Sequence, residues 1–146
     1  MTTPLAPHRS LLMSMPAEPC LAVAKQLVDL CRQGQNVEAI QTLYAQDIVS
    51  VEVHGDEQMP KEMHGRDAVL GKTQWWFDNH EVHGGETFGP FPHGDRFIVH
   101  FKFDITPKIG PKAGQRITVQ EAGLYTVSDG KVVREEFFYD MTDGAS

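Results

Sequence analysis

Phe97-Ile98-Val99-His100-Phe101-Lys102-Phe103-Asp104 is an unbroken two-residue alternation, and its reading decides the fold. Phe97, Val99, Phe101 and Phe103 fall on one face of an extended chain, and Ile98, His100, Lys102 and Asp104 on the other. Burying a large apolar side chain is worth roughly 1.5–3 kcal/mol, so the four-residue apolar stripe faces inward and Lys102 and Asp104 face out. Downstream, a Pro/Gly-rich turn from Thr106 to Gly114 leads into a second alternation through Ile117, Val119, Glu121, Gly123, Tyr125 and Val127. Ser128-Asp129-Gly130 is a hairpin turn, and Val132 to Met141 reads as the closing strand. From Glu86 onward the pattern is strand only.

Upstream the period changes to that of a helix. Leu21, Ala24, Leu27, Val28 and Cys31 recur at helical spacing after Pro19, and the spacing predicts a helix to about Gln33 with Gly34 as its stop. Asn36 is the expected N-cap of a second helix, with Val37, Ile40, Leu43 and Tyr44 on one face. Ile48 to His54 alternates as a first strand, and Gly55 to Met63 is polar and expected to be flexible. A third helix is predicted from Gly65-Arg66-Asp67-Ala68-Val69 to about His80, with Val69, Thr73, Trp76 and Phe77 on its inward stripe and Trp75 to the side. Helices followed by hairpins mean an α+β fold. A single domain is expected over residues 20–142, with a flexible Pro-rich tail at 1–19, lacking the apolar run of a secretory signal, and a short tail at 143–146.

Composition narrows the function. At 146 residues the chain can bury about 68–70% of its unfolded surface and needs no staple. A net charge of −7, with thirteen basic residues against twenty acidic ones, leaves no basic stripe for nucleic acid. No apolar run nears the roughly 20 residues that cross a bilayer. Cys20 and Cys31 lie on one predicted helix about 16 Å apart, beyond the about 7 Å that a disulfide tolerates. Free helical cysteines fit a reducing cytoplasm. Motifs for nucleotide binding and for serine hydrolases are absent.

Three pieces carry a family resemblance: Leu43-Tyr44-Ala45-Gln46-Asp47 entering the first strand, Gly65-Arg66-Asp67-Ala68-Val69 opening the third helix, and Gly123-Leu124-Tyr125-Thr126-Val127-Ser128-Asp129-Gly130-Lys131-Val132 at the last hairpin. In their order and spacing they resemble the nuclear-transport-factor-2-like superfamily, which includes ketosteroid isomerases, SnoaL-like polyketide cyclases and limonene-epoxide hydrolases. The resemblance implies a cone: three helices packed on a strongly curved antiparallel sheet around a pocket, usually as a homodimer. It fixes no activity, because this fold hosts enzymes, binding modules and assembly domains alike.

The resemblance places Glu52 at the position of the isomerase general base, five residues after Asp47. A carboxylate in an apolar pocket has its charged form disfavoured, which suits it to proton transfer. The isomerase's oxyanion donors would fall near Val28 and at Gly123, neither of which has a side-chain donor. Glu121 is the odd member of an apolar stripe and needs a partner or a pocket. In the family register Glu135, Phe137 and Tyr139 face inward, so Glu52, Glu121 and Glu135 are the candidate catalytic carboxylates around one cavity. Such like charges would titrate together. His54, Trp76, Phe101, Tyr125, Phe137 and Tyr139 are the candidate substrate-binding residues, with His54 two residues from Glu52 as a relay partner and Trp76 suited to a flat ligand. No metal and no cofactor is expected: His80 and His83, three apart, read as a solvated helix terminus.

The leading expectation is a cofactor-independent isomerase- or cyclase-type enzyme that moves a proton on an apolar carbonyl compound. The alternative is a non-catalytic ligand-binding or assembly domain with its pocket filled by Phe97, Phe101 and Phe137. A minor alternative is epoxide hydrolysis, for which Lys102-Phe103-Asp104 resembles the Arg-x-Asp element, although Phe137 stands where that family has its second aspartate. Lysine there is a poor replacement for a planar fork.

Overall fold

The computed structural model describes residues 18–140, so the expectations for the N-terminal tail up to residue 17, for Met141 and for the last residues lie outside the described residues. Helices α1 (Glu18–Arg32) and α2 (Asn36–Leu43) lead into strand β1 (Tyr44–Val51). Short β2 (Glu62–His64) precedes helix α3 (Arg66–Asp78). Strands β3 (His80–His93), β4 (Arg96–Pro107), β5 (Ile117–Ser128) and β6 (Lys131–Phe138) complete the α+β fold.

The six strands form one sheet in the order β2-β1-β6-β5-β4-β3. All neighbours are antiparallel except β1 and β6, which run parallel. Ladder irregularities at Val82/Gly84 and Phe88/Phe91 in β3 and at Thr126/Val127 in β5 bend the sheet. The helices fill its concave side. Cys20, Val23, Ala24, Leu27 and Val28 of α1 and Ala39, Ile40 and Leu43 of α2 pack with Ile48, Val69, Phe97, Val99 and Tyr125 in one apolar core.

The decisive alternation holds. Phe97, Val99 and Phe101 are buried, Phe103 packs against the core, and Ile98 is 41% exposed. Asp104 lies outside, gripped by Arg116 through paired bonds of 3.0 and 2.7 Å.

Several boundaries differ from the sequence reading. Tyr44 begins β1 instead of ending α2, and β1 stops at Val51, so Glu52 and His54 follow the strand. Gln35, not Asn36, is the N-cap of α2, and the Asn36 side chain instead reaches Cys31 Sγ at 3.6 Å. The expected flexible stretch contributes β2. β3 starts at His80, six residues before the predicted strands, because Gly84 and Gly85 interrupt any apolar period there. His80 is no solvated terminus: it is buried, stacks on Trp76 at 4.4 Å and donates through Nδ1 to the Trp76 carbonyl at 2.7 Å. Burial lowers its pKa, with the Trp76 carbonyl opposing.

Candidate active site

Cross-strand register builds the site in rows. Ser50 pairs with Glu135, Glu135 with Tyr125, and Tyr125 with Phe97, so one row runs from polar to apolar across the concave face. In the next rows Phe137 lies opposite Gly123 and Glu121 opposite Phe101. With α3 above them, these rows enclose a cavity of about 330 Å³ that opens to solvent.

Glu52, His54, Trp76, Phe101, Glu121, Tyr125, Phe137 and Tyr139 all line this cavity. Glu135 does not. It is 2% exposed and lies behind the wall, where the Tyr44 hydroxyl donates to Oε1 and the Ser50 hydroxyl donates to Oε2 at 2.6 Å. Burial raises its pKa, while Lys72, Ser50 and Tyr44 oppose the rise.

Glu52 is held through both of its carboxylate oxygens. Lys72 Nζ donates to its Oε2 at 2.7 Å, and the Tyr139 hydroxyl donates to Oε1 at 2.9 Å. His54 is exposed at the rim, and the partners of Glu52 are Lys72 and Tyr139 in place of the expected Glu52–His54 relay. Lys72 also donates to Ser50 Oγ at 2.7 Å and stands 5.4 Å over the Phe137 ring. An unbroken set of hydrogen bonds thus joins Tyr139, Glu52, Lys72, Ser50, Glu135 and Tyr44.

Glu121 stands apart from that chain. Burial pushes its carboxyl up to about 8, with the charges of Glu52 and Glu135 adding and Lys72 opposing. At neutral pH it is therefore mostly a neutral acid, able to donate a proton. Of the three expected carboxylates, Glu52 and Glu121 face the cavity and Glu135 does not.

Lys72 is the charged cavity residue that the sequence reading missed. Its signal was its spacing: residues 69, 72, 73 and 76 share one helical face, and Val69 and Trp76 had already defined that face as inward. Lys102 and Asp104 do not line the cavity, which removes the epoxide-hydrolase pattern from the site.

A family model described as a SnoaL-like domain matches residues 20–139. The chain belongs to the SnoaL-like domain family. A protein provisionally named a SnoaL-like polyketide cyclase, with carbohydrate phosphatase as a bracketed second description, from Mesorhizobium loti is 44% identical. The match covers 82% of this chain and 97% of that one, with a TM-score of 0.75. Two more distant structures share the fold. One, from Jannaschia, also provisionally named a SnoaL-like polyketide cyclase, is 17% identical over 85% of this chain and 87% of its own, at a TM-score of 0.68. The other is a ketosteroid-isomerase-like protein from Catenulispora acidiphila bound to trimethylamine; it is 20% identical over 88% and 90%, at 0.62. The comparison with curated proteins found no match. The SnoaL-like domain here has the nuclear-transport-factor-2-like fold, and no helix among its described residues is long and apolar enough to cross a membrane.

Proposed function

We propose that this SnoaL-like protein is a cofactor-independent isomerase- or cyclase-type enzyme that moves a proton on an apolar carbonyl compound. The observation that carries the reading is the pair of dissimilar carboxyls in one apolar cavity: Glu52 held by an ammonium and a phenol, and Glu121 held neutral by burial. Pairs of titratable groups whose surroundings push them apart mark acid and base assignments. Glu52 takes a proton from the carbon next to the carbonyl, and Glu121 returns one to the rearranged or ring-closed product. Solvent then resets both groups. Trp76, Phe101, Phe137 and Tyr139 hold the ring-bearing substrate, with His54 at the mouth. Glu135 acts behind the wall, without touching substrate.

The test is deuterium uptake from heavy water into a panel of cyclic and aromatic ketones, followed by proton NMR, with thermal shift to detect binding. The expected result is uptake by the wild type that is lost in a folded Glu52→Gln variant. Ligands that stabilise the protein without any uptake would establish the alternative, a non-catalytic binding domain. The open 330 Å³ cavity already favours a ligand over a core filled by Phe97, Phe101 and Phe137. The free cysteines fit a cytoplasmic protein, and the exposed apolar residues of the outer sheet face fit a homodimer.

A further inference from the structure

Proton abstraction beside a carbonyl needs a donor for the oxyanion as well as a base. The positions at which the family resemblance placed donors are closed: Val28 is 1% exposed in the core, and the space beside Gly123 is filled by the Tyr125 ring. The Tyr44 hydroxyl is committed to Glu135 and that of Tyr139 to Glu52, and the Tyr125 hydroxyl, packed against Gly123, has Tyr44 as its hydrogen-bond partner. Glu121 carries one proton, which the proposed reaction consumes. Lys72 remains.

We propose that Lys72 is the oxyanion-stabilising residue of this site, its ammonium holding the enolate oxygen while Glu52 removes the neighbouring proton. This rests on the proton-transfer reading above. A lysine ammonium has three N–H donors and no acceptor. Glu52 Oε2 and Ser50 Oγ take two of them, each at 2.7 Å, and Lys72 itself lines the cavity, so the third is available to a ligand. The two bonds also fix direction. Because Ser50 must accept from Lys72, its hydroxyl hydrogen is free to point at Glu135. The ammonium is thus braced on both sides by groups that cannot displace it, and its side chain is only 12% exposed. In such surroundings a charge-assisted bond to a developing anion is stronger than in water.

The placement fits the reacting atoms. The acidic proton and the carbonyl oxygen of an enolisable ketone sit on adjacent carbons, and Glu52 Oε2 and Lys72 Nζ are themselves neighbours. In the step, the C–H bond breaks, its electron pair enters the carbonyl π system, and the proton goes to Glu52. The negative charge gathers on the oxygen beside Lys72.

Phenol and 2-naphthol are probes for this arrangement, because their ionised forms mimic a planar enolate and absorb at wavelengths distinct from the neutral forms. At neutral pH, where both are neutral in free solution, wild-type protein should bind one of them with the spectrum of the ionised form. Lys72→Met should lower the bound ionised-to-neutral ratio on the order of a hundredfold, the loss expected for one oxyanion donor, and Lys72→Arg should restore most of it. Glu52→Gln, which removes a competing anion and leaves Lys72 in place, should raise the ratio, and it serves if Lys72→Met does not fold. Neutral-only binding, no binding of either phenol, or an unchanged spectrum in folded Lys72→Met overturns the proposal, as does a fall in Glu52→Gln. Deuterium uptake is read separately: an ionised bound probe without any uptake would sink the proton-transfer reading and leave the anion site standing.

Discussion

The Tyr125 ring occupies the space that a side chain on Gly123 would need. A Cβ built at Gly123 would stand 2.8 Å from Tyr125 Cε1 and 3.0 Å from its hydroxyl oxygen. The ring cannot swing clear cheaply, because it is 2% exposed and stacked on Phe97 at 5.0 Å. Gly123→Ala should therefore cost about 1–3 kcal/mol, the range for overpacking a filled core, although alanine ordinarily suits a strand interior better than glycine. In a Tyr125→Ala background the same substitution should cost nothing. Urea unfolding of the four proteins checks both statements, and an additive result would exclude the contact as the cause.

Glu121 predicts a pH dependence with a definite sign. Its carboxyl sits at about 8 in the fold against an ordinary value of 4.5. The native state therefore binds more protons than the unfolded chain between those values. Its contribution to stability is fully present below 4.5 and is lost as pH rises through 8. Thermal midpoints should fall across that window in the wild type and fall less in Glu121→Gln. Turnover that uses the neutral acid should decline above pH 8 for the same reason. A wild-type profile flat from pH 6 to pH 10 would remove Glu121 from the acid role.

Strand identity was legible wherever one face had to be apolar, as at Phe97–Phe103, since the two-residue period leaves no other arrangement that buries four large groups. The helices were legible from Leu21 to Cys31 for the same reason at a different period. Pairing was harder. The parallel contact of β1 with β6 joins Ser50 to Glu135, 85 residues apart, and nothing local at either end specifies it. β2 is three residues long, too short to show a period. In the site, Glu52, Phe137 and Tyr139 followed from register with the resembled family, and Glu121, Trp76, Phe101 and Tyr125 from the apolar stripes they belong to. Lys72 was obscured because a lysine between Gly71 and Thr73 reads as solvated, whereas its long stem carries the charge inward to Glu52. Glu135 was placed on the correct face. Its separation from the cavity depended on Tyr44, which pattern alone had assigned to a helix.

The buried set around Glu135 predicts non-additive energetics. Glu135→Leu leaves the Tyr44 and Ser50 hydroxyls without their acceptor, and an unmet buried donor costs about 1–3 kcal/mol. Adding Tyr44→Phe removes one stranded donor, so the double variant should be more stable than Glu135→Leu alone. Chemical denaturation decides it: a double variant less stable than the single would show that Tyr44 contributes by packing and not through this bond.

The outer face of the sheet predicts an oligomer. Phe91 pairs with Ile98 and Ile98 with Leu124 across three strands; Phe88, His100, Ala122 and Phe138 form the adjoining row. Phe91 is 58% exposed, Phe138 50% and Ile98 41%, on the side away from the helices. Apolar side chains grouped in this way are commonly covered in solution, and a second copy of the same curved face would cover them in both chains at once through a two-fold contact. Light scattering should then give the mass of two chains for the wild type. Ile98→Lys places a charge at the centre of the patch without touching the cavity, and it should give one chain of 16.3 kDa with the fold unchanged. A wild type that runs as a single chain across the micromolar range would exclude the dimer. It would also imply that the proton-transfer site works without any contribution from a second subunit.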